Sequence, residues 1–400
     1  MSFRELGLLQ SFTDRCESLG YTEPTPIQKQ AIPLVLEGKN VIATAETGTG
    51  KTAAFLLPIL QKLEISQKKG STVLILSPTR ELANQTDAAC RQFAPKHIRC
   101  ASIIGGAGYK SQIDAIRRGA NIIVATPGRL MDFMEQGMLN LSKIDTLVLD
   151  EADRMLDMGF LPAIKRINKA IPASRQTLFF SATLSNEIEH IALSLMDDPH
   201  YVEVSARGKA AVTIEQTAYP VAHQFKMPLL LELLAKEDFD RVLIFTRTKR
   251  GADRLAHVLE RQSHKSNRIH GDRSQSQREA ALRGFKSGKT RVLVATDVAA
   301  RGIDIDSVSH VINYDVPVVP EDYVHRIGRT GRAGNKGRAI TLFTNAEEHS
   351  MRAIERLTGQ SVERMLLPAY GGELFTAPVP TARKNAPARS FRSYGGRRRK

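Results

Sequence analysis

The stretch Ala45-Glu46-Thr47-Gly48-Thr49-Gly50-Lys51-Thr52 has the residue types that grip a polyphosphate, at the spacing of a P-loop. Gly48 and Gly50 let backbone N–H groups close around phosphate oxygens. The start of the following helix, Lys51–Leu60 by its pattern, adds a positive end, Lys51 supplies a cation and the Thr52 hydroxyl suits Mg²⁺. Ala45 stands where the common pattern has its first glycine. A second G-K-T, in Ser287-Gly288-Lys289-Thr290, leads into a strand pattern and lacks the earlier glycine, so it reads as a turn.

Hydrolysis at such a cradle also needs carboxylates and additional cations. Thr146-Leu147-Val148-Leu149-Asp150-Glu151 is an apolar strand ending in two acids, with Asp150 suited to hold Mg²⁺ and Glu151 to polarise a water for in-line attack on a γ-phosphate. Charge spreading in the transition state calls for cations, and His325-Arg326-Ile327-Gly328-Arg329-Thr330-Gly331-Arg332 offers Arg329 and Arg332, three apart. These come from the other half of the chain, so they reach a nucleotide only when the halves close.

The elements that must position these residues are short β-branched runs alternating with longer helical patterns, the signature of parallel sheets covered by helices. The strand candidates are Asn40–Thr44, Thr72–Ser77, Asn121–Ala125, Thr146–Asp150 and Thr177–Ser181, then Arg241–Phe245, Arg291–Ala295, His310–Tyr314 and Ala339–Phe343. Residues 205–213 are small and polar without apolar periodicity, and read as a linker between a first domain, 1–204, and a second, 214–369. From residue 370 to 400, periodicity gives way to prolines and arginines, and we read a disordered basic tail.

Composition bounds the rest. Four hundred residues with 42% apolar and 25% charged side chains make an ordinary globular chain of two to four domains. Cys16, Cys90 and Cys100 are too few for a disulfide framework and include no C-x-x-C, so a reducing compartment fits, and zinc is not expected. Met1–Gln10 has no signal-peptide core and no long apolar run follows, so we expect a cytoplasmic protein that does not span a membrane. The net charge of +15 is concentrated at the end: from Leu374 onward there is no acid but eight Lys or Arg, which points to a polyanionic partner.

Taken together, these motifs resemble the DEAD-box ATP-dependent RNA helicases of superfamily 2 over nearly all of residues 1–368. Asp150-Glu151-Ala152-Asp153 matches the name-giving tetrad, Ser181-Ala182-Thr183 matches motif III, and Gly20-Tyr21-Thr22-Glu23-Pro24-Thr25-Pro26-Ile27-Gln28 resembles the Q motif. Further matches are Pro78-Thr79-Arg80-Glu81-Leu82, Gly105-Gly106, Thr126-Pro127-Gly128-Arg129, Ile244-Phe245-Thr246, Gln275–Arg278, Ala295-Thr296-Asp297 and Ala300-Arg301-Gly302-Ile303-Asp304.

The resemblance implies an α/β fold of two tandem RecA-like domains, each a parallel sheet flanked by helices, with ATP and Mg²⁺ between them and RNA across both. Gln28, whose amide complements adenine, would select ATP over GTP, with Thr25 beside it and aromatic stacking from Tyr21 and Phe3. Asp304 would complete the nucleotide site. Pro78, Thr79, Arg80, Gly105, Gly106, Thr126, Gly128, Arg129, Thr246, Gln275, Arg278 and Thr296 would contact RNA phosphates and 2′-hydroxyls, with little base readout. Asp153, Ser181, Thr183 and His325 would form the network coupling ATP turnover to local unwinding of short duplexes.

Two features depart from the commonest pattern: Glu46, where many members have glutamine, and a tail in which Phe391 and Tyr394 could stack on bases. The short lead-in and brief basic tail look most like the bacterial RhlE-like subgroup, with ribosome-assembly or RNA-decay factors as possible partners. Two other readings use much of the same equipment: a superfamily 2 DNA translocase, disfavoured by Gln28 and the DEAD tetrad, and an ATP-gated RNA clamp or annealing protein.

Overall fold

The computed structural model describes residues 2–45, 48–67, 70–204, 214–235, 239–300, 308–331 and 337–370. Its first sheet contains β1 (Val41–Thr44), β2 (Val73–Leu76), β3 (Cys100–Ile103), β4 (Ile122–Ala125), β5 (Thr146–Asp150), β6 (Gln176–Ser181) and β7 (His200–Glu203), in the order β3-β4-β2-β5-β6-β1-β7. The second contains β8 (Ile214–Pro220), β9 (Val242–Phe245), β10 (Ser266–Ile269), β11 (Val292–Ala295), β12 (His310–Asn313), β13 (Gly337–Phe343) and β14 (Glu363–Arg364), in the order β10-β11-β9-β12-β13-β8-β14. Neighbouring strands are parallel throughout both sheets.

Helices on both faces explain why the central strands, Val-Leu-Ile-Leu in β2 and Val-Leu-Val-Ala in β11, are apolar without alternation and wholly buried. In the first domain one core lies on the face of Phe55 and Phe180, whose rings are 5.2 Å apart, and another on the face of Ile42, Phe133 and Phe179. The second domain is built the same way around Leu255 and Ile312 on one face and Leu243 and Phe285 on the other.

Five strands were not expected from the sequence: β3, β7, β8, β10 and β14. Four are sheet edges and β8 lies next to the two-residue edge β14, so they are only half covered and carry polar residues, as in Ser-Asn-Arg-Ile of β10. The helix expected over Lys51–Leu60 runs on to Ser66 despite Pro58. Tyr370, assigned by sequence to the tail, instead packs on the second domain, 6.4 Å from the ring of Phe225, with its hydroxyl bonded to Glu232. The proposed linker and residues 371–400 lie outside the described residues.

The parallel order places the chemistry. Loops at the carboxyl ends of parallel strands converge on one edge of a sheet. The P-loop follows β1, the Asp-Glu pair ends β5, and Ser181 ends β6, which lies between them.

Candidate nucleotide and RNA site

Gly48 and Gly50 have φ of +89° and +92°, a left-handed conformation that side-chain-bearing residues adopt only at a cost. At Gly50 there is also no room: a Cβ would lie 2.5 Å from Nε2 of Gln28. Lys51 is buried, and its ammonium donates to the Ala45 carbonyl at 2.7 Å. Ala45 N in turn donates to the Ser181 carbonyl at 3.1 Å, tying the loop to β6.

Gln28 is fully buried, not a surface glutamine of the helix Pro26–Leu36. Its Oε1 accepts from Thr25 N at 2.9 Å and its Nε2 donates to the Gly50 carbonyl at 3.1 Å. One amide therefore joins the Q-motif stretch to the phosphate loop. Tyr21 is 38% exposed and meets Phe93 edge-on at 5.3 Å. Phe3 departs from expectation: it is 3% exposed and belongs to the hydrophobic core, because burying the ring against the first domain anchors the N-terminal segment.

Asp150 is 2% exposed, and its Oδ2 has no hydrogen-bond partner in the structure. Burial first, and the neighbouring Glu151 second, push its carboxyl up to about 7, while Lys51 opposes the shift. A buried carboxylate with one oxygen unsatisfied fits a hard cation that arrives with other oxygen ligands. Glu151 behaves oppositely. Burial alone would raise its pKa, but Arg154, Lys51 and Arg329 together hold it below the ordinary value. Its φ of +52° is left-handed, at the cap of the helix Ala152–Asp157, and its Oε2 accepts from Nη1 of Arg154.

Arg329 comes from the second domain yet is buried beside Glu151 of the first, close enough for its charge to act on that carboxylate. Arg154, His325, Arg326 and Arg329 line one small cleft between the domains. Arg326 is committed to structure: its Nε and Nη2 donate to Asp297 at 2.5 and 2.8 Å, and its Nη1 to Asn313 Oδ1 at 3.1 Å and the Asp315 carbonyl at 2.6 Å. It thereby fixes the segment that carries His325 and Arg329.

Oδ2 of Asp153 accepts from Ala182 N and Thr183 N at 3.0 Å and from Thr183 Oγ1 at 3.2 Å, and Ser181 Oγ donates to the Thr183 carbonyl at 2.6 Å. Three of the four residues expected to form a coupling network thus touch within the first domain. His325 lines the interdomain cleft together with Arg154, the residue that follows Asp153.

Among the residues expected to touch RNA, Thr79 caps the helix Arg80–Phe93, and the Arg80 guanidinium lies so close to Gly105 and Gly106 that a Cβ on Gly106 would collide with it. Pro78 and Thr126 are buried at strand ends, and Gly128 is open at the start of the helix Pro127–Glu135. Arg129 is engaged within the protein: its guanidinium lies 4.2 Å from the Tyr109 ring centre and donates to the Ala107 carbonyl at 3.2 Å. Thr246 and Thr296 are buried after β9 and β11, and Gln275 donates to Glu279 at 3.2 Å. Arg278 pairs with Glu81 across the two domains at 2.8 Å. Thr47, Glu46, Asp304 and Arg332, like Arg301, Gly302 and Ile303, lie outside the described residues.

Sequence reasoning passed over Arg154, Glu81 and the Asp297–Arg326 pair. Arg154 could have been found, since it lies three residues after Glu151 at the start of a helix, a spacing that brings side chains together. The other two join residues 197 and 29 positions apart in the chain, which no local pattern reveals.

Two parallel-sheet domains with a P-loop, an Asp-Glu pair and an arginine supplied from across the cleft define a RecA-like ATPase. Residues 25–191 match the family DEAD/DEAH box helicase and residues 225–334 match Helicase conserved C-terminal domain. The chain is similar to the DEAD-box ATP-dependent RNA helicase CshA of Geobacillus kaustophilus, 45% identical over 370 residues, covering 92% of this chain and 79% of that one. Among solved structures, S. cerevisiae Dbp5 bound to RNA and ADP BeF3 is 32% identical with a TM-score of 0.83, covering 91% of this chain and 95% of that one. A DEAD box protein from Methanococcus jannaschii is 40% identical yet has a TM-score of 0.53, covering 91% and 99%. The chain belongs to the DEAD-box ATP-dependent RNA helicases.

Proposed function

We propose the following division of roles within this helicase. Residues 1–204 form the nucleotide-binding domain and 214–370 the domain that closes on it, with 205–213 as linker and the chain beyond as a basic tail. The P-loop from Ala45 to Thr52 holds the phosphates, and Gln28 with Thr25 and Tyr21 recognises the base. Thr52 and Asp150 hold Mg²⁺, whose chemistry is to neutralise phosphate charge. Support for this comes from the unsatisfied Oδ2 of Asp150.

Glu151 orients and deprotonates the attacking water. Arg329 and Arg332 stabilise the charge that develops on the γ-phosphate, and Asp304 contributes from the same domain. The observation that carries this reading is the burial of Arg329 beside Glu151, which requires both domains to be in contact. Because the arginine arrives only on closure, hydrolysis is gated by whatever favours closure. RNA bridging Arg80, Thr126 and Gly128 on one domain to Thr246, Gln275, Arg278 and Thr296 on the other does so, and Asp153, Ser181, Thr183 and His325 transmit the state of the nucleotide.

The cytoplasm is the compartment this reading implies, supported by three free cysteines and by the fact that no helix among the described residues is long and apolar enough to cross a membrane. The RhlE-like subgroup rests on the short lead-in and the basic tail, whereas the curated relative above carries the CshA name. Ribosome-assembly or RNA-decay factors are the partner classes that an RNA remodeller of this kind would serve.

The testing experiment is steady-state ATP hydrolysis alone and with saturating single-stranded RNA or matched DNA, with Glu151→Gln as control. Stimulation by RNA only, abolished in the control, supports the roles above. Full activity in the Glu151→Gln variant removes Glu151 as the base, and tight RNA binding with ATP but no unwinding makes the protein a clamp.

A further inference from the structure

Ligands of parallel sheets gather at the carboxyl ends of the strands, where the P-loop, the Asp150-Glu151 pair, Ser181, Thr246 and Thr296 lie. The opposite end of the second sheet carries a feature that this rule does not account for. Lys265, Arg291 and Arg241 are the residues immediately before β10, β11 and β9, three strands adjacent in the sheet and paired in register from their first residues. The backbones of the three basic residues therefore stand in a row, about 5 Å from one to the next. They border a groove of about 650 Å³ whose far wall is the turn Lys286–Thr290, the glycine-lysine-threonine turn that did not form a phosphate cradle.

Structure explains part of this row. Arg291 donates from Nε to the Phe239 carbonyl at 2.6 Å and from Nη2 to that of Leu234 at 3.0 Å, so it braces the loop before β9. Its charge nevertheless remains at the groove, where burial first and Arg291 second hold the His264 imidazole below its ordinary pKa. Lys265 and Lys286 are exposed, and Asp240 is the one acid in the lining among the described residues. The corresponding positions of the first sheet, Arg99, Asn121, Thr72, Asp145 and Arg175, mix charges, so the cationic row does not follow from the fold.

We propose that this groove is a second RNA-backbone site, which holds strand running on from the segment engaged in the interdomain cleft. Its lining among the described residues has cations and hydroxyls, including Thr290, with the half-buried His264 imidazole as its one ring and no aliphatic anchor. Phosphate contacts need no more than that, whereas a bound protein segment draws its affinity from buried apolar anchors. The site is largely sequence-independent, since its exposed cations, Lys265 and Lys286, suit phosphates and no Phe, Tyr or Trp among the described lining residues offers a base a stacking platform. It lies a strand length, about 13 Å, plus the flanking loops from the cleft residues, so only RNA longer than the cleft occupies both.

The inference takes the cleft as the primary RNA site, and the test separates the two. Full-length Lys265→Glu/Lys286→Glu protein is compared with wild type for binding of single-stranded RNA of about 10 and about 40 nucleotides with an ATP analogue, over a range of salt. For the long RNA we expect roughly tenfold weaker binding at low salt and a salt slope shallower by about 1.4, the loss of two phosphate contacts. The short RNA binds as before and stimulates ATP turnover as before. The milder Lys265→Gln/Lys286→Gln variant shows a smaller loss in the same direction, and unchanged thermal unfolding of both variants confirms that they fold. Equal losses for both lengths, or none for the long RNA, overturn the proposal. So does a groove that binds pyrophosphate while long-RNA affinity stays at the wild-type value. Failure of wild type to bind the short RNA would instead count against the cleft.

Discussion

Glu81 and Arg278 lie in different domains, and their side chains meet at 2.8 Å with both nearly excluded from solvent. The helix Arg80–Phe93 carries the acid directly after Arg80, and the helix Gln275–Lys286 carries the arginine. Burial lowers the pKa of Arg278, Glu81 opposes that shift and Arg80 adds to it, so the pair sits among like charges that RNA phosphates would neutralise. An ion pair at this position exists only when the domains are together.

Breaking that pair from the acid side should therefore act on closure and leave the nucleotide pocket intact. Removing one partner of a buried pair costs about 3–5 kcal/mol, here charged to the closed form. For Glu81→Gln we expect RNA-stimulated ATP hydrolysis to fall by at least tenfold while unstimulated hydrolysis and ATP affinity in the absence of RNA stay near wild type. Fluorescence energy transfer between dyes on the two domains should show less closure with RNA and an ATP analogue. An undiminished transfer change would remove the pair from the closing mechanism.

Gly50 is constrained twice, by its φ of +92° and by the Gln28 amide 2.5 Å from where a Cβ would stand. Gly50→Ala should weaken ATP binding by more than tenfold, since both the backbone conformation and the Gln28 hydrogen bond are disturbed. The backbone part alone is about 1–2 kcal/mol. Gly137 offers the contrast: its φ is +66° but nothing lies within 4 Å of a Cβ, so Gly137→Ala should lower stability modestly and leave ATP affinity alone. Isothermal titration with an ATP analogue distinguishes the two, and equal affinities would refute the steric argument.

How far the sequence reveals this molecule depends on how local each feature is. The central strands were readable because double-sided burial leaves only apolar residues, as in Val-Leu-Ile-Phe of β9. The edges were not, because His-Tyr-Val-Glu of β7 is half exposed and its partner β1 lies some 160 residues earlier. The same division runs through the site. Glycines of the phosphate loop declare themselves by spacing, whereas the burial of Phe3, the Arg129–Tyr109 stacking and the Glu81–Arg278 pair follow from tertiary contacts alone.

Arg154 holds the Glu151 carboxylate from three residues away, while the Glu151 backbone sits in a left-handed conformation that fixes where its side chain starts. The carboxylate is thereby aimed as well as charged. Arg154→Met should lower kcat by roughly a hundredfold with little change in KM for ATP, because the arginine orients the base and does not touch nucleotide in this reading. Arg154→Lys, which keeps the charge but loses the planar fork, should recover only part of the rate. A raised KM with kcat intact would make Arg154 a binding residue instead.

Lys226 is an ammonium buried in the second domain, donating to Oε2 of Glu347 at 3.0 Å and to the Tyr314 carbonyl at 2.9 Å, while Arg247 holds the other Glu347 oxygen at 2.7 Å. Burial alone would raise the pKa of Glu347, but Lys226 first, then Thr344 hydrogen bonds, bring it below the ordinary value. A carboxylate whose folded pKa is depressed contributes stability above its unfolded value, about 4.3, and loses that contribution as pH falls through the folded one. Lys226→Met leaves a buried acid short of its cation and should destabilise the folded chain by about 3–5 kcal/mol at pH 7. Protonating Glu347 relieves that defect in the variant just as it dissolves the pair in wild type. The stability gap between the two, measured by denaturant unfolding, should therefore shrink as pH falls, most of all below about 4.3, where wild type loses the pair. A gap independent of pH would mean that Lys226 stabilises the domain through packing of its methylenes and not through its charge.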